Sequence, residues 1–161
     1  MSTKAKLLLG LALLREFHNK VEYYKSVVER NIYVYREYER SSNDYNRIKA
    51  VEKEIKNLEG VYKQLSNTNI FLEYIMLRLE TLITANNIAV SIAMLRDVVK
   101  ILRSSTSKTI PILTTLIDKL DELTRILIIE TQNRDQLKNA ISSASPEARK
   151  IIDEAKKIAG V

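Results

Sequence analysis

Apolar positions recur along the chain in alternating steps of three and four, the period of an amphipathic helix. In the first segment Leu7, Leu11, Leu14, Val21, Val28, Ile32 and Tyr35 keep this spacing, with His18 and Lys25 filling two gaps. The second segment is stricter. Ile48, Val51, Ile55, Leu58, Tyr62, Leu65, Asn69, Leu72, Met76, Leu79 and Ile83 form a seam whose single polar member is Asn69. Such a seam demands a partner helix, and a lone asparagine in it fixes register at some cost in stability. Between the segments lies Ser41-Ser42-Asn43-Asp44, a polar cluster of good N-cap residues. The pattern therefore predicts an antiparallel helical hairpin over about 3–40 and 44–85, roughly 50–60 Å long.

Beyond Ile83 the seam turns polar: Asn86 is followed at helical spacing by Val90, Ala93, Asp97 and Lys100. A new stripe begins at Ile88 and continues through Ile92, Leu95, Val99 and Leu102. It starts five residues after Ile83, so the apolar face turns by roughly 140° at ~100° per residue. The changeover falls in a run with no charged side chain, Thr81 to Leu95, with Asn86-Asn87 in its middle. The second stripe has to be covered. A bend that folds the chain back, a second subunit, or neighbours on both sides of a central helix each achieve this. Asn86 and Asn87 are the candidate hinge, and Ile88, Ile92, Leu95, Val99 and Leu102 a candidate intramolecular or subunit interface.

Further helices are predicted at about 88–103, 110–140 and 146–159. Pro111 suits the first position of a helix, with Thr109 or Ile110 before it. Ser145-Pro146-Glu147 reads as a helix start: a cap, a proline, then an acid near the positive end. Ala148, Ile151, Ile152, Ala155 and Ile158 share one face of that last helix, and Ile151, Ile152, Ala155 and Ile158 are candidate interface residues. No strand pattern occurs, so the fold class is all-α, a hairpin with three further helices packed on it or extended from it. The length, 161 residues, suits one domain.

Composition changes this picture little. Only three Gly and two Pro interrupt the chain, with 29% charged and 45% apolar residues, as long helices require. The absence of cysteine excludes disulfides and thiolate metal sites. No stretch approaches the ~20 apolar residues of a membrane span. Lys4, Lys6 and the apolar run Leu7 to Leu14 imitate a signal peptide, but Arg15-Glu16 follow at once, and the run reads as the start of the first helix. Net charge is +6, and residues 1–49 hold ten basic against six acidic side chains. That excess fits an anionic membrane surface or nucleic acid, and equally a solvated face. The one histidine, His18, falls in the first seam and reads as packed. There is no glycine-rich phosphate loop. Asp118, Asp121 and Glu122 lack the Glu-x-x-His partner of a di-metal bundle and read as a solvated face. No enzyme and no cofactor are expected. All eight tyrosines lie between Tyr23 and Tyr74 and point to several sides of the hairpin, as seam and flank packing would place them.

The order of these elements resembles the ESCRT-III core, and within that family the archaeal cell-division (Cdv) branch with its CdvB paralogues. The resemblance is carried by EYIMLRLETLITANNIAVSIAMLRDVVKILRS (73–104), TIPILTTLIDKLDELT (109–124) and LALLREFHNKVEYYKSVVERN (11–31). It implies membrane remodelling by polymerisation, in archaeal cytokinesis or vesicle budding. Subunits of the family switch between a closed form and an open form in which the second and third helices join. The resemblance further implies self-association, paralogous ESCRT-III partners, and an anionic membrane surface bound by a basic hairpin face, here Lys4, Lys6, Arg15, Lys20 and Lys25. It places the final helix across the hairpin tip of its own or a neighbouring subunit, and the protein in the cytoplasm, peripheral on the inner face of the cell membrane at the division site. An AAA ATPase of the Cdv system is the family's disassembly partner, but no acidic or proline-rich tail motif follows the last helix. Nucleic acid is not an expected partner. The competing expectation is a helical-bundle or coiled-coil adaptor that does not polymerise.

Overall fold

A computed structural model describes residues 1–105 and 110–161. Five helices follow one another: α1 (Thr3–Ser41), α2 (Tyr45–Thr84), α3 (Ile88–Ser105), α4 (Pro111–Gln132) and α5 (Asp135–Ala159). Among the described residues there is no strand. The expected cap at Thr109 lies outside the described residues.

The hairpin forms as its seams dictate. Ser2 caps α1, its hydroxyl accepting from the Ala5 amide at 3.1 Å. Asp44 caps α2, its carboxylate accepting from the amides of Asn46 and Arg47. The antiparallel register shows in pairs that join the two helices: Arg36 with Glu59, Lys25 over the Tyr62 ring and Arg15 with Glu80.

The hairpin is packed unevenly. At its base the first half of α1 (Leu7, Leu11, Leu14, Phe17, Val21) and the second half of α2 (Leu65, Leu72, Ile75, Leu79, Ile83) are buried in one core with α3, α4 and α5. Toward the tip only Ile32 and Ile55 are buried, outside that core, while Val51 and Leu58 stay half-buried. There the seam has two helices and no third to cover it. In α1, Gly10 and Phe17 add a second buried face beside the seam. A side chain on Gly10 would begin 2.9 Å from Leu95 Cδ2 and 3.4 Å from Leu123 Cδ2. Glycine lets α1, α3 and α4 meet at that point.

Helix α3 touches all four other helices, and no other helix does. Val90, Ile92, Met94, Leu95, Val98, Val99 and Leu102 are all buried, so more than one stripe of α3 is apolar because it has neighbours on several sides.

One expectation needs correction. The helices predicted at 110–140 and 146–159 are instead 111–132 and 135–159, with the break at Asn133-Arg134 and Pro146 inside α5. Proline at 146 removes one i→i−4 hydrogen bond. The helix nevertheless continues, because Ile141, Ala148, Ile151, Ile152, Ala155 and Ala159 keep one unbroken buried face across it. Of the two placements expected for the final helix, the tip of its own hairpin is not the one seen within this chain. Helix α5 lies on α3 and on the second half of α2, where Tyr74 meets Glu154, and Tyr45 beside the turn is 73% exposed.

Candidate functional site

The corner between α2 and α3 is built by the two asparagines in different ways. Asn86 has φ +58°, a left-handed conformation that asparagine tolerates better than other side-chain-bearing residues. Its amide donates to the Ile83 carbonyl at 3.0 Å, and the Asn87 amide donates to Leu82 at 2.8 Å. These two bonds are a Schellman closure with asparagine where glycine is usual. Asn87 then opens α3. Its side-chain oxygen accepts from the Val90 amide at 3.4 Å and its carbonyl from the Ser91 hydroxyl at 2.7 Å. One asparagine ends a helix and the next begins another, so the chain turns back and α3 runs along α2. At the far end of α3 the Gln64 amide reaches the Ser105 carbonyl at 2.6 Å.

Of the candidate interface residues, Ile92, Leu95, Val99, Leu102, Ile151, Ile152 and Ala155 lie buried within this one chain, and Ile88 is half-buried. Ile158 is 59% exposed, and Ala159 takes its place in the packing. Helices α3 and α5 pack on each other, and Leu95 of α3 also meets α1 at Gly10. Polar latches surround α3 and α5. The Tyr74 hydroxyl donates to Glu154 at 2.8 Å, and this bond to a carboxylate raises the phenol's pKa. Arg96 donates to the Ser145 hydroxyl at 3.3 Å. Arg103 bridges from α3 to Asp118 (3.0 Å) and Asp121 (3.3 Å) on α4. Those acids are therefore partnered across helices, which the sequence did not indicate.

A polar cluster interrupts the hairpin seam. Asn69 is buried and donates to the His18 carbonyl at 3.1 Å and to the Glu22 carboxylate at 2.9 Å. That bond, with help from Lys25, lowers the pKa of Glu22. His18 stands 3.3 Å from Glu73. Asn69 thus ties α2 to α1 through two hydrogen bonds.

The five candidate membrane-binding residues do not form one free patch. Lys6 pairs with Glu130, Arg15 with Glu80 (3.3 Å) and Lys25 with Glu22 (3.4 Å). Lys4 reaches the Asn86 side chain at 3.4 Å. Among the described residues, Lys20 has no such partner. No group of His, Cys, Asp or Glu among the described residues could hold a metal ion, and no helix there is long and apolar enough to cross a membrane.

Comparison with known proteins places the chain beside an archaeal cell-division protein. Cell division protein B1 of Sulfolobus acidocaldarius is 30% identical over 118 residues, which make up 73% of this chain and 55% of that protein. The chain thus spans about half the length of the curated relative it matches. No family model matches, and no solved structure matches significantly.

Proposed function

Because the chain belongs to the CdvB-like branch of the archaeal ESCRT-III family, we propose that it acts in archaeal cell division as a subunit that assembles with copies of itself and with paralogues into filaments on a membrane. The form described above is the closed one. In the open form the corner at Asn86-Asn87 straightens, α2 and α3 become one helix, and the stripe Ile92, Leu95, Val99, Leu102 is offered to another subunit instead of to the other helices of its own chain. The site of action is the inner face of the cell membrane at the division site. The chain acts as a structural subunit, without a catalytic step.

The observation that supports this reading is the placement of the second apolar stripe. It begins at a corner held by two asparagines and is covered by other helices of the same chain. A stripe that the chain's own helices cover can be covered by the equivalent surfaces of another molecule, provided the corner can open.

The test is sedimentation of the purified chain with and without anionic liposomes, followed by negative-stain microscopy. Filaments that pellet with liposomes are expected. A protein that stays monomeric at high concentration and ignores liposomes is a bundle adaptor, and the assembly reading falls.

A further inference from the structure

Two buried side-chain polar atoms make no hydrogen bond among the described residues, His18 Nε2 and Asn69 Oδ1. Both belong to the polar cluster in the hairpin seam. A buried polar atom left unpaired costs free energy, so two in one place call for a physical reason. Their position is the root of the hairpin arm. In α1, Leu14, Phe17 and Val21 are buried beside His18, and beyond Val21 only Ile32 is. In α2, Asn69 stands near the end of the buried run that starts at Leu65, and toward the turn only Ile55 is buried.

The charges around His18 are almost balanced without it. On its own side of α1 lie Arg15, Glu22 and Lys25. Arg15 is paired with Glu80 of α2, and Lys25 with Glu22. The hydrogen bond from Asn69 holds the Glu22 carboxyl below its usual range, so Glu22 stays charged. From α2, Glu73 faces the imidazole at 3.3 Å, and among the described residues it has no other cationic partner. No ion pair or hydrogen bond joins His18 to α3, α4 or α5 among the described residues.

A neutral imidazole does not complete this set. With Nε2 bare, its lone pair faces a carboxylate oxygen; with the hydrogen on Nε2, the donor carries no charge. A protonated ring supplies both a charged donor and the missing cation for Glu73. Histidine exchanges that proton between about pH 5 and 8.

We infer that His18 is a proton-operated clamp at the root of the hairpin arm. Charged, it pairs with Glu73 and fixes α1 against α2; neutral, it leaves the pair unmade, and the two-helix arm beyond it moves more freely. The stiffness of the arm is thus set by pH. The inference concerns the closed chain alone, and it stands or falls apart from the function proposed above.

The test is amide hydrogen exchange of the full chain at low salt and low concentration, between about pH 5.5 and 8, corrected for the intrinsic pH dependence of exchange. The chain has one histidine, so its ring signals in NMR report directly when the proton is bound. Arm amides beyond Val28 become about two- to fivefold better protected when the ring is charged, the range for a partly exposed pair. The gain is lost as pH rises through the ring's titration. E73Q changes a side chain that is 58% exposed, keeps the fold by circular dichroism, and loses the response. E59Q, which breaks the Arg36 pair within the arm, retains it. A ring that titrates with no change in arm exchange overturns the clamp. So does an equal response in E73Q, since the proton would then act without Glu73. Loss of the response in E59Q as well assigns it to the overall charge of the hairpin and overturns the clamp too.

Discussion

Replacing both corner asparagines with alanine tests what holds the chain closed. Asn86→Ala puts a poorer residue in a left-handed conformation, at a cost of about 1 kcal/mol. Asn87→Ala removes the cap of α3, at about 1 kcal/mol more. Together they destabilise the corner by about 2 kcal/mol, and both changes favour a continuous helix. Against this stands the burial of seven large apolar side chains on α3. At roughly 1.5–3 kcal/mol each, they contribute on the order of 10–20 kcal/mol. Burial wins by a wide margin, so the double variant stays closed in the isolated chain. Its melting temperature falls by about 4–8 °C. The geometry offers a ruler for this. Gln64 and Ser105 touch in the closed form although 41 residues separate them. In a straight helix that separation becomes about 60 Å. The chain has no cysteine, so spin labels at K63C and S104C report one distance. A short distance in wild type and in N86A/N87A is expected. A population near the long distance in the double variant would refute the reasoning, since it would mean that the corner, not burial, decides the form.

Three further outcomes follow from specific contacts. Gly10→Ala brings a methyl group against Leu95 and costs about 1–3 kcal/mol in chemical denaturation, while adding Leu95→Ala to it costs less than the sum of the two single changes. Glu22 has a lowered pKa, so its contribution is present above the unfolded carboxylate's pKa and is lost as pH falls through its own. Glu22→Gln therefore flattens the acid limb of the melting temperature plotted against pH. Tyr74 has a raised pKa, so its bond to Glu154 contributes below the unfolded phenol's pKa and is lost as pH rises through its own; Tyr74→Phe removes that alkaline step, seen in the same plot at high pH.

The hairpin was legible because its second seam allows one register. The corner was legible because the apolar face turns between Ile83 and Ile88, and two asparagines there suit the end of one helix and the start of the next. The start of α5 was not. Pro146 is a strong local signal, but the spacing Ile141, Ala148, Ile151, Ile152 runs through it in phase, and burial of that face outweighs one backbone bond. Phe17 was missed because α1 buries a second face, visible only when α4 is in place, and Gly10 carries no hydrophobic signal at all. Charge pairing was least legible. Lys6 meets Glu130, 124 residues away, and no local pattern could show that it was already neutralised.

The thinning of the hairpin toward its tip has a mechanical consequence. A two-helix arm clamped in a five-helix bundle is a cantilever. From Val28, where the core ends, to the turn at Ser42 the arm is about 20 Å long, and tilting it by about 5° at the clamp moves the turn by about 2 Å. Its amides should exchange with solvent faster than those of the base, because fewer buried contacts hold them shut. The bundle is stiff and the arm compliant. Its direction is set close to one cross-section, where Asn69, His18 and Glu22 lock the two helices together.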